Sequence, residues 1–248
     1  MLKGLELTGR SMATRMAQMD AITNNLANIS TRGFKRDMVF IHSVAENLRQ
    51  IDRKDGSVQH RTVASTTLDL TQGSLVGTER PLDLAISGDG FFVVETSEGA
   101  AYTRNGQFTL NAEGVLTTLD GKVVLGEGGA IEINIDQKTP NQILINEQGE
   151  ILLDGNLIDK LQIVAPENPN KLLKAGANLF KLADETTSMQ PVELVSVKQG
   201  FLEESNVNPM LEMIAMMENL QHFQMDQKII KTEDEMLGRA ANNIGRVT

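Results

Sequence analysis

Cysteine and tryptophan are absent from the 248 residues, and tyrosine occurs once. Without cysteine there is neither a disulfide nor a thiolate metal site. Scarce aromatics argue against an interface built on large rings. The three histidines, His42, His60 and His222, lie far apart with no metal-ligand spacing among them. No apolar run approaches the ~18 residues of a membrane span, and no secretory apolar segment follows Met1. Export, if it occurs, is therefore expected without a cleaved signal peptide. No phosphate-binding glycine loop and no nucleophile elbow is present. Gly88-Asp89-Gly90 lacks the following helix and the further carboxylates of an anion or calcium loop. Asp83 and Asp89 read as turn carboxylates that cap backbone or bind water. No catalytic residue, metal or cofactor is expected.

Charge is unevenly spread. Residues 1–36 carry six Lys/Arg against two Asp/Glu, and residues 206–248 carry four against six. The net charge is −10, so the middle of the chain is strongly acidic. Phosphate neutralisation needs clustered cations, so this excludes nucleic acid as a partner. The basic N-terminal helix lacks the Trp and Phe anchors of an interfacial helix, so no direct membrane insertion is expected.

What the chain does have is periodicity at its ends. Leu5, Met12, Met19 and Leu26 recur every seven residues, with Leu2, Met16, Ile22 and Ile29 beside them. A seven-residue repeat keeps one seam facing a partner helix. Near the other end Asn208 is a good N-cap and Pro209 suits the first helical position. Met216, Phe223, Ile230, Leu237 and Ile244 then repeat the heptad, with Met213 and Leu220 as a neighbouring row. Ten of the twelve methionines lie in these two segments, and methionine suits contacts that must re-pack. A plain amphipathic helix packed on its own domain would show the same stripe.

Between the ends the pattern changes to short strands and turns. Phe40, Ile41 and Val44 continue an apolar edge, residues 52–56 form a polar turn, and residues 62–70 read as extended. Fourteen of the 21 glycines fall between Gly56 and Gly155. Asn105-Gly106, between Tyr102-Thr103-Arg104 and Gln107-Phe108-Thr109-Leu110, is a hairpin signal. Strands follow over 131–135, 143–145, 151–153 and 161–164, and again over 179–182 and 192–195. The spacing of about ten residues predicts an all-β sandwich or partly open barrel. The expected fold class is α+β, mainly β: long N- and C-terminal helices pairing as a coiled-coil-like layer, with a central all-β domain inserted between them. The expected boundaries are an N-terminal helix over 1–36, an extended connector over 37–79, a β domain over 80–205 and a C-terminal helix over 206–248.

Four stretches carry a family likeness. The first is Asn24-Asn25-Leu26-Ala27-Asn28, with Ser30-Thr31 and Gly33-Phe34-Lys35. The second runs from Arg80 through Asp83 and Gly88-Asp89-Gly90 to Phe91-Phe92. The third is Tyr102-Thr103-Arg104-Asn105-Gly106-Gln107-Phe108, and the fourth is Gln199-Gly200-Phe201-Leu202-Glu203-Glu204-Ser205-Asn206-Val207. In order along the chain, these resemble the signatures of the rod and hook axial proteins of the bacterial flagellar basal body. Residues 141–195 match that pattern least. Met213-Ile214-Ala215-Met216-Met217-Glu218 looks more like the proximal rod type. Distal rod and hook proteins usually carry Gln-Arg-Ala-Tyr where this chain has Leu220-Gln221-His222-Phe223.

The resemblance implies a structural subunit of the periplasmic rod, exported through the flagellar type III apparatus. Its partners would be copies of itself and other rod subunits. Leu5, Met12, Met16, Met19, Leu26, Ile29, Met216, Phe223, Ile230, Leu237 and Ile244 are the expected assembly interface, with the chain ends ordering only on assembly. Two competing readings stand beside it. One is a flagellar adaptor or cap that does not polymerise. The other is a glycan-acting β-domain enzyme using Asp83 and Asp89, for which the residues offer no positive feature.

Overall fold

The computed structural model describes residues 2–46, 59–133, 143–176, 178–183, 188–192 and 196–244. The turn expected over 52–56 lies outside them, as do residues 134–135 and 193–195 of two expected strands. The chain divides into two compact units. One comprises Met1–Ala27, Asp37–Thr67 and Asn208–Thr248, the other Asn28–Arg36 and Leu68–Val207.

The first unit holds helix α1 (Leu2–Ala27), a two-stranded sheet of Asp37–Glu46 and Gln59–Leu68, and helix α2 (Pro209–Ile244). The side chain of Asn208 accepts hydrogen bonds from the backbone N–H of Met210 and Leu211, at 3.0 and 3.3 Å. That satisfies two of the donors a helix start leaves open. Asn25, only 1% exposed, ties α1 to the first strand. Its amide donates to the Asp37 carbonyl at 2.9 Å, and its oxygen accepts from the Asp37 N–H at 2.8 Å.

The expected fold class needs correction. Among the described residues β structure predominates, with strands over 42%, and the two helices do not form a coiled-coil layer. They are unequal, 26 and 36 residues, and the seam between them is polar. A coiled coil needs apolar side chains at the inward positions. Here α2 turns Glu212, Asn219 and Asp226 inward, every seventh residue: Glu212 is 1% and Asn219 5% exposed. Asn219 donates to the Arg15 carbonyl at 2.8 Å, and the Ser11 hydroxyl donates to Asp226 at 3.0 Å. The apolar heptad beginning at Met216 lies one turn further along and flanks this seam.

The second unit is built of antiparallel strands. Among the described residues, its largest sheet runs in the order Leu172–Gly176, Leu179–Leu182, Gly99–Thr103, Phe91–Thr96, Val123–Gly126, Leu116–Thr118, Phe108–Leu110. Ile163–Pro166 also pairs with Phe91–Thr96 and with Met189–Pro191, and Gly129–Ala130 pairs with Val123–Gly126. Ile143–Ile145, Glu150–Leu153 and Asn156–Lys160 form a three-stranded sheet. Leu84–Ser87 pairs with Ser196–Gln199, and Leu75–Gly77 pairs with Phe201–Glu203.

Successive residues of a strand face opposite sides, and Phe91–Thr96 is buried on both. Phe92 enters the main core edge-on to Phe108, with centroids 5.1 Å apart. Phe91 enters a second cluster against Phe180 at 5.4 Å. Asn105-Gly106 is not the expected hairpin. Gly99–Thr103 pairs with Phe91–Thr96 and Leu179–Leu182, while Phe108–Leu110 pairs with Leu116–Thr118. Gly106 serves close approach instead: a Cβ there would collide with the Leu84 carbonyl.

Candidate functional site

All four motif stretches contribute to a buried charge cluster inside the second unit. Lys35 and Glu203 have fully buried side chains, and Arg104 is 3% exposed. The Lys35 ammonium donates to Glu203 Oε1 at 2.6 Å and to the Thr71 carbonyl at 2.8 Å. Glu203 Oε1 also accepts from the Gly73 N–H at 2.9 Å. Glu203 Oε2 accepts from Arg104 Nη1 at 3.2 Å, and Arg104 Nη2 donates to the Gly88 carbonyl at 2.8 Å. The guanidinium lies 5.1 Å from the Phe91 ring centroid. One carboxylate thus serves two buried cations. Burial pushes the Lys35 ammonium below its usual value against the pull of Glu203, and Arg104 is lowered in the same way.

Around this cluster residues 32–36, 69–74 and 203–207 are laced together. The Gly33 N–H donates to the Glu203 carbonyl at 2.8 Å. Arg32 pairs with Glu204 at 2.7 Å, and Ser74 donates to the other Glu204 oxygen at 3.0 Å. These partners hold the Glu204 carboxyl below its ordinary range, Arg32 first and Ser74 second. Asn206 Oδ1 accepts from the Arg36 N–H, and Asn206 Nδ2 donates to the Asp69 carbonyl, each at 2.8 Å. The Val207 N–H donates to the Ser205 hydroxyl at 3.3 Å, and Phe34 and Val207 are buried.

The local sequence explains the close packing. Gly33 takes φ +68°, and a Cβ there would lie 2.8 Å from the Arg104 carbonyl oxygen. Before it, the Thr31 N–H and hydroxyl bond the Asn28 carbonyl and side chain, at 3.1 and 3.2 Å. The backbone carbonyl of buried Asp83 accepts from the Gly200 N–H at 2.8 Å. Gly88 and Gly90, at φ +110° and +147°, turn the chain from Leu84–Ser87 into Phe91–Thr96. Asn24, Ala27 and Ser30 are exposed, and Asn28 and Leu26 half-buried. Asp83 is buried in backbone contacts and Asp89 exposed at a turn. Among the described residues, no group of His, Cys, Asp and Glu could hold a metal ion.

The interface expected from the heptads is distributed unevenly. Met12, Met19, Leu26, Ile29, Met216, Phe223 and Ile230 are half-buried, whereas Met16 and Leu237 are 58% and 40% exposed. Leu5 and Ile244 lie on α1 and α2, outside the residues whose side chains are described. A second set emerges on α2. Met210, Leu211, Met213, Ile214, Met217, Leu220, Met225, Ile229 and Met236 are all exposed. At about 100° per residue, most of them lie on the side away from Glu212, Asn219 and Asp226. A polar repeat as regular as the apolar one was the sequence signal for that division. The pairing of Lys35 and Arg104 with Glu203 had no comparable signal, because the partners are 168 and 99 residues apart.

Three family models match the chain. "Flagella basal body rod protein" covers residues 8–35, "Flagellar hook protein FlgE/F/G D1 domain" residues 85–153, and "Flagellar basal body rod FlgEFG protein C-terminal" residues 198–244. The flagellar basal-body rod protein FlgF of Caulobacter vibrioides is 32% identical over 240 residues, 96% of this chain and 96% of its own length. FlgG of Bacillus subtilis is 34% identical over 270 residues, covering 98% and 99%. FlgF of Salmonella typhimurium is 34% identical over 249 residues, covering 94% and 95%.

Proposed function

Because this chain belongs to the family of flagellar basal-body rod proteins, we propose that it builds the bacterial flagellar rod by polymerising through its terminal helices. It is a structural protein of the FlgF type, not an enzyme, and it acts in motility at the basal body. Its partners are other rod proteins. In this reading the subunit passes through the type III export apparatus, adds to a tube in the periplasm, and completes the order of its helices there.

The observation that carries the polymerisation step is the outer face of α2. A polar seam holds α2 to α1, so its large apolar side chains are left for neighbouring subunits. Exposed apolar surface of this extent marks an interaction face. Repeated head-to-tail contacts that do not close generate a filament rather than a ring. Met16 on α1 and Leu237 on α2 are exposed as well. Met12, Met19, Leu26, Met216, Phe223 and Ile230 support the face from the half-buried side.

The test replaces Met213 and Met217 with glutamate in the full chain, in cells lacking the native copy. The expected result is loss of swimming and loss of the chain from purified basal bodies, with the urea midpoint of the isolated protein unchanged. Normal swimming by the double variant would refute assembly through this face.

A further inference from the structure

We propose that the hairpin of Leu172–Gly176 and Leu179–Leu182 is a latch that positions the Arg32–Lys35 corner, with Asn178 and Lys174 as its positioning residues. Its consequence for assembly rests on the rod-subunit reading above. Three contacts support the latch, and each meets a different part of the corner or its cluster. Asn178 Nδ2 donates to the Arg32 carbonyl at 2.8 Å. The Lys174 ammonium lies 3.8 Å from the centroid of the Phe34 ring, within the range of a cation–π contact. Phe180 stacks edge-on against Phe91, the ring that lies against the Arg104 guanidinium.

The corner needs such support. Gly33 sits in the left-handed region, and the peptide before it belongs to no strand or helix. Its carbonyl at Arg32 requires a donor from elsewhere, and Asn178 supplies one. Asn178 is itself left-handed at φ +58°, a conformation that asparagine tolerates better than most residues. Its carbonyl accepts from the Thr103 hydroxyl at 3.0 Å, and the next two residues pair with Thr103 and Tyr102. The amide is therefore aimed from a fixed base. The ladder also steps irregularly between Lys174 and Gly176, a bulge of the kind that re-aims a side chain. The latch residues lie outside the three segments matched by the family models, so their role is additional to what family membership supplies.

The test uses the full chain with three single substitutions. Asn178→Gly keeps the left-handed backbone and removes the amide. Lys174→Met keeps the aliphatic stem and removes the charge, whereas Lys174→Arg keeps a cation over the ring. Hydrogen exchange at the Gly33 and Phe34 amides is expected to accelerate about five- to tenfold in the first two, from the loss of one contact. Lys174→Arg should restore the wild-type rate, and the urea midpoint should stay near wild type in all three. Unchanged exchange at the corner, or equal acceleration across the whole unit, would overturn the latch. In cells, Asn178→Gly should reduce swimming. Wild-type swimming by that variant would remove the positioning role. Intact rods in cells lacking the chain altogether would instead overturn the rod reading.

Discussion

Glu203 is the anion bonded to both buried cations, so its neutralisation should be a highly damaging change of charge in the second unit. Glu203→Gln keeps the shape and one acceptor but removes the counter-charge from both Lys35 and Arg104. Breaking a buried ion pair from one side costs about 3–5 kcal/mol. With two cations stranded, the value should fall near the top of that range. Lys35→Met is the informative contrast. It leaves Glu203 and Arg104 as a neutral pair and fills the space of the lysine stem, and the Thr71 carbonyl keeps a donor in the Asn206 amide at 3.1 Å. Losing one hydrogen bond of a carbonyl that stays satisfied costs about 0.5–1.5 kcal/mol, and removing a desolvated ammonium offsets part of it. Urea unfolding of the full chain, followed by a probe of the β unit, measures both. With a slope of about 2 kcal/mol per molar, the midpoint should fall by about 2 M for Glu203→Gln and by less than about 1 M for Lys35→Met. The double variant should cost less than the sum, because the two residues share one interaction. If Lys35→Met proves as costly as Glu203→Gln, or if the two changes are additive, the cluster is not organised around its carboxylate.

Gly33→Ala should destabilise the same unit by about 2–5 kcal/mol. A left-handed alanine costs about 1–2 kcal/mol, and its methyl would press on the Arg104–Asn105 backbone for about 1–3 more; a urea midpoint shifted by less than about 0.3 M would contradict the packing described. Glu204 should add an acid-sensitive component. The Arg32 and Ser74 contacts hold its folded pKa below the ordinary glutamate value, so its contribution is present above that value and is lost as pH falls through the folded one. Stability measured against pH should therefore drop more steeply below the ordinary glutamate value in the wild type than in Glu204→Gln, and parallel curves would discount the Arg32 and Ser74 contacts.

How much of this was legible in the sequence depended on whether the signal was local. The Asn208-Pro209 helix start is a local signal, carried by side chains that serve their own backbone, and the structure places α2 from Pro209. The short strands and turns were also legible, because alternation and glycine placement act over a few residues. Pairing was not. Asn105-Gly106 has the residues of a hairpin turn, yet Gly106 lies against the Leu84 backbone, a contact no local pattern encodes. The ion cluster shows the same limit more sharply. Lys35, Arg104 and Glu203 sit in recognisable motif stretches, but nothing within any one stretch says that its charge is buried or names its partner. The terminal helices failed in a different way. Their apolar heptads are real, but a heptad states only that a face needs covering, not by what. Since Glu212, Asn219 and Asp226 occupy the seam within the chain, the apolar side chains that remain on α2 cannot be satisfied by α1. A sequence that keeps polar groups at its internal helix contact and its methionines outside is therefore suited to a weak self-contact and a stronger contact with other subunits. That is the balance a subunit needs if it must travel as a monomer and become ordered in a filament.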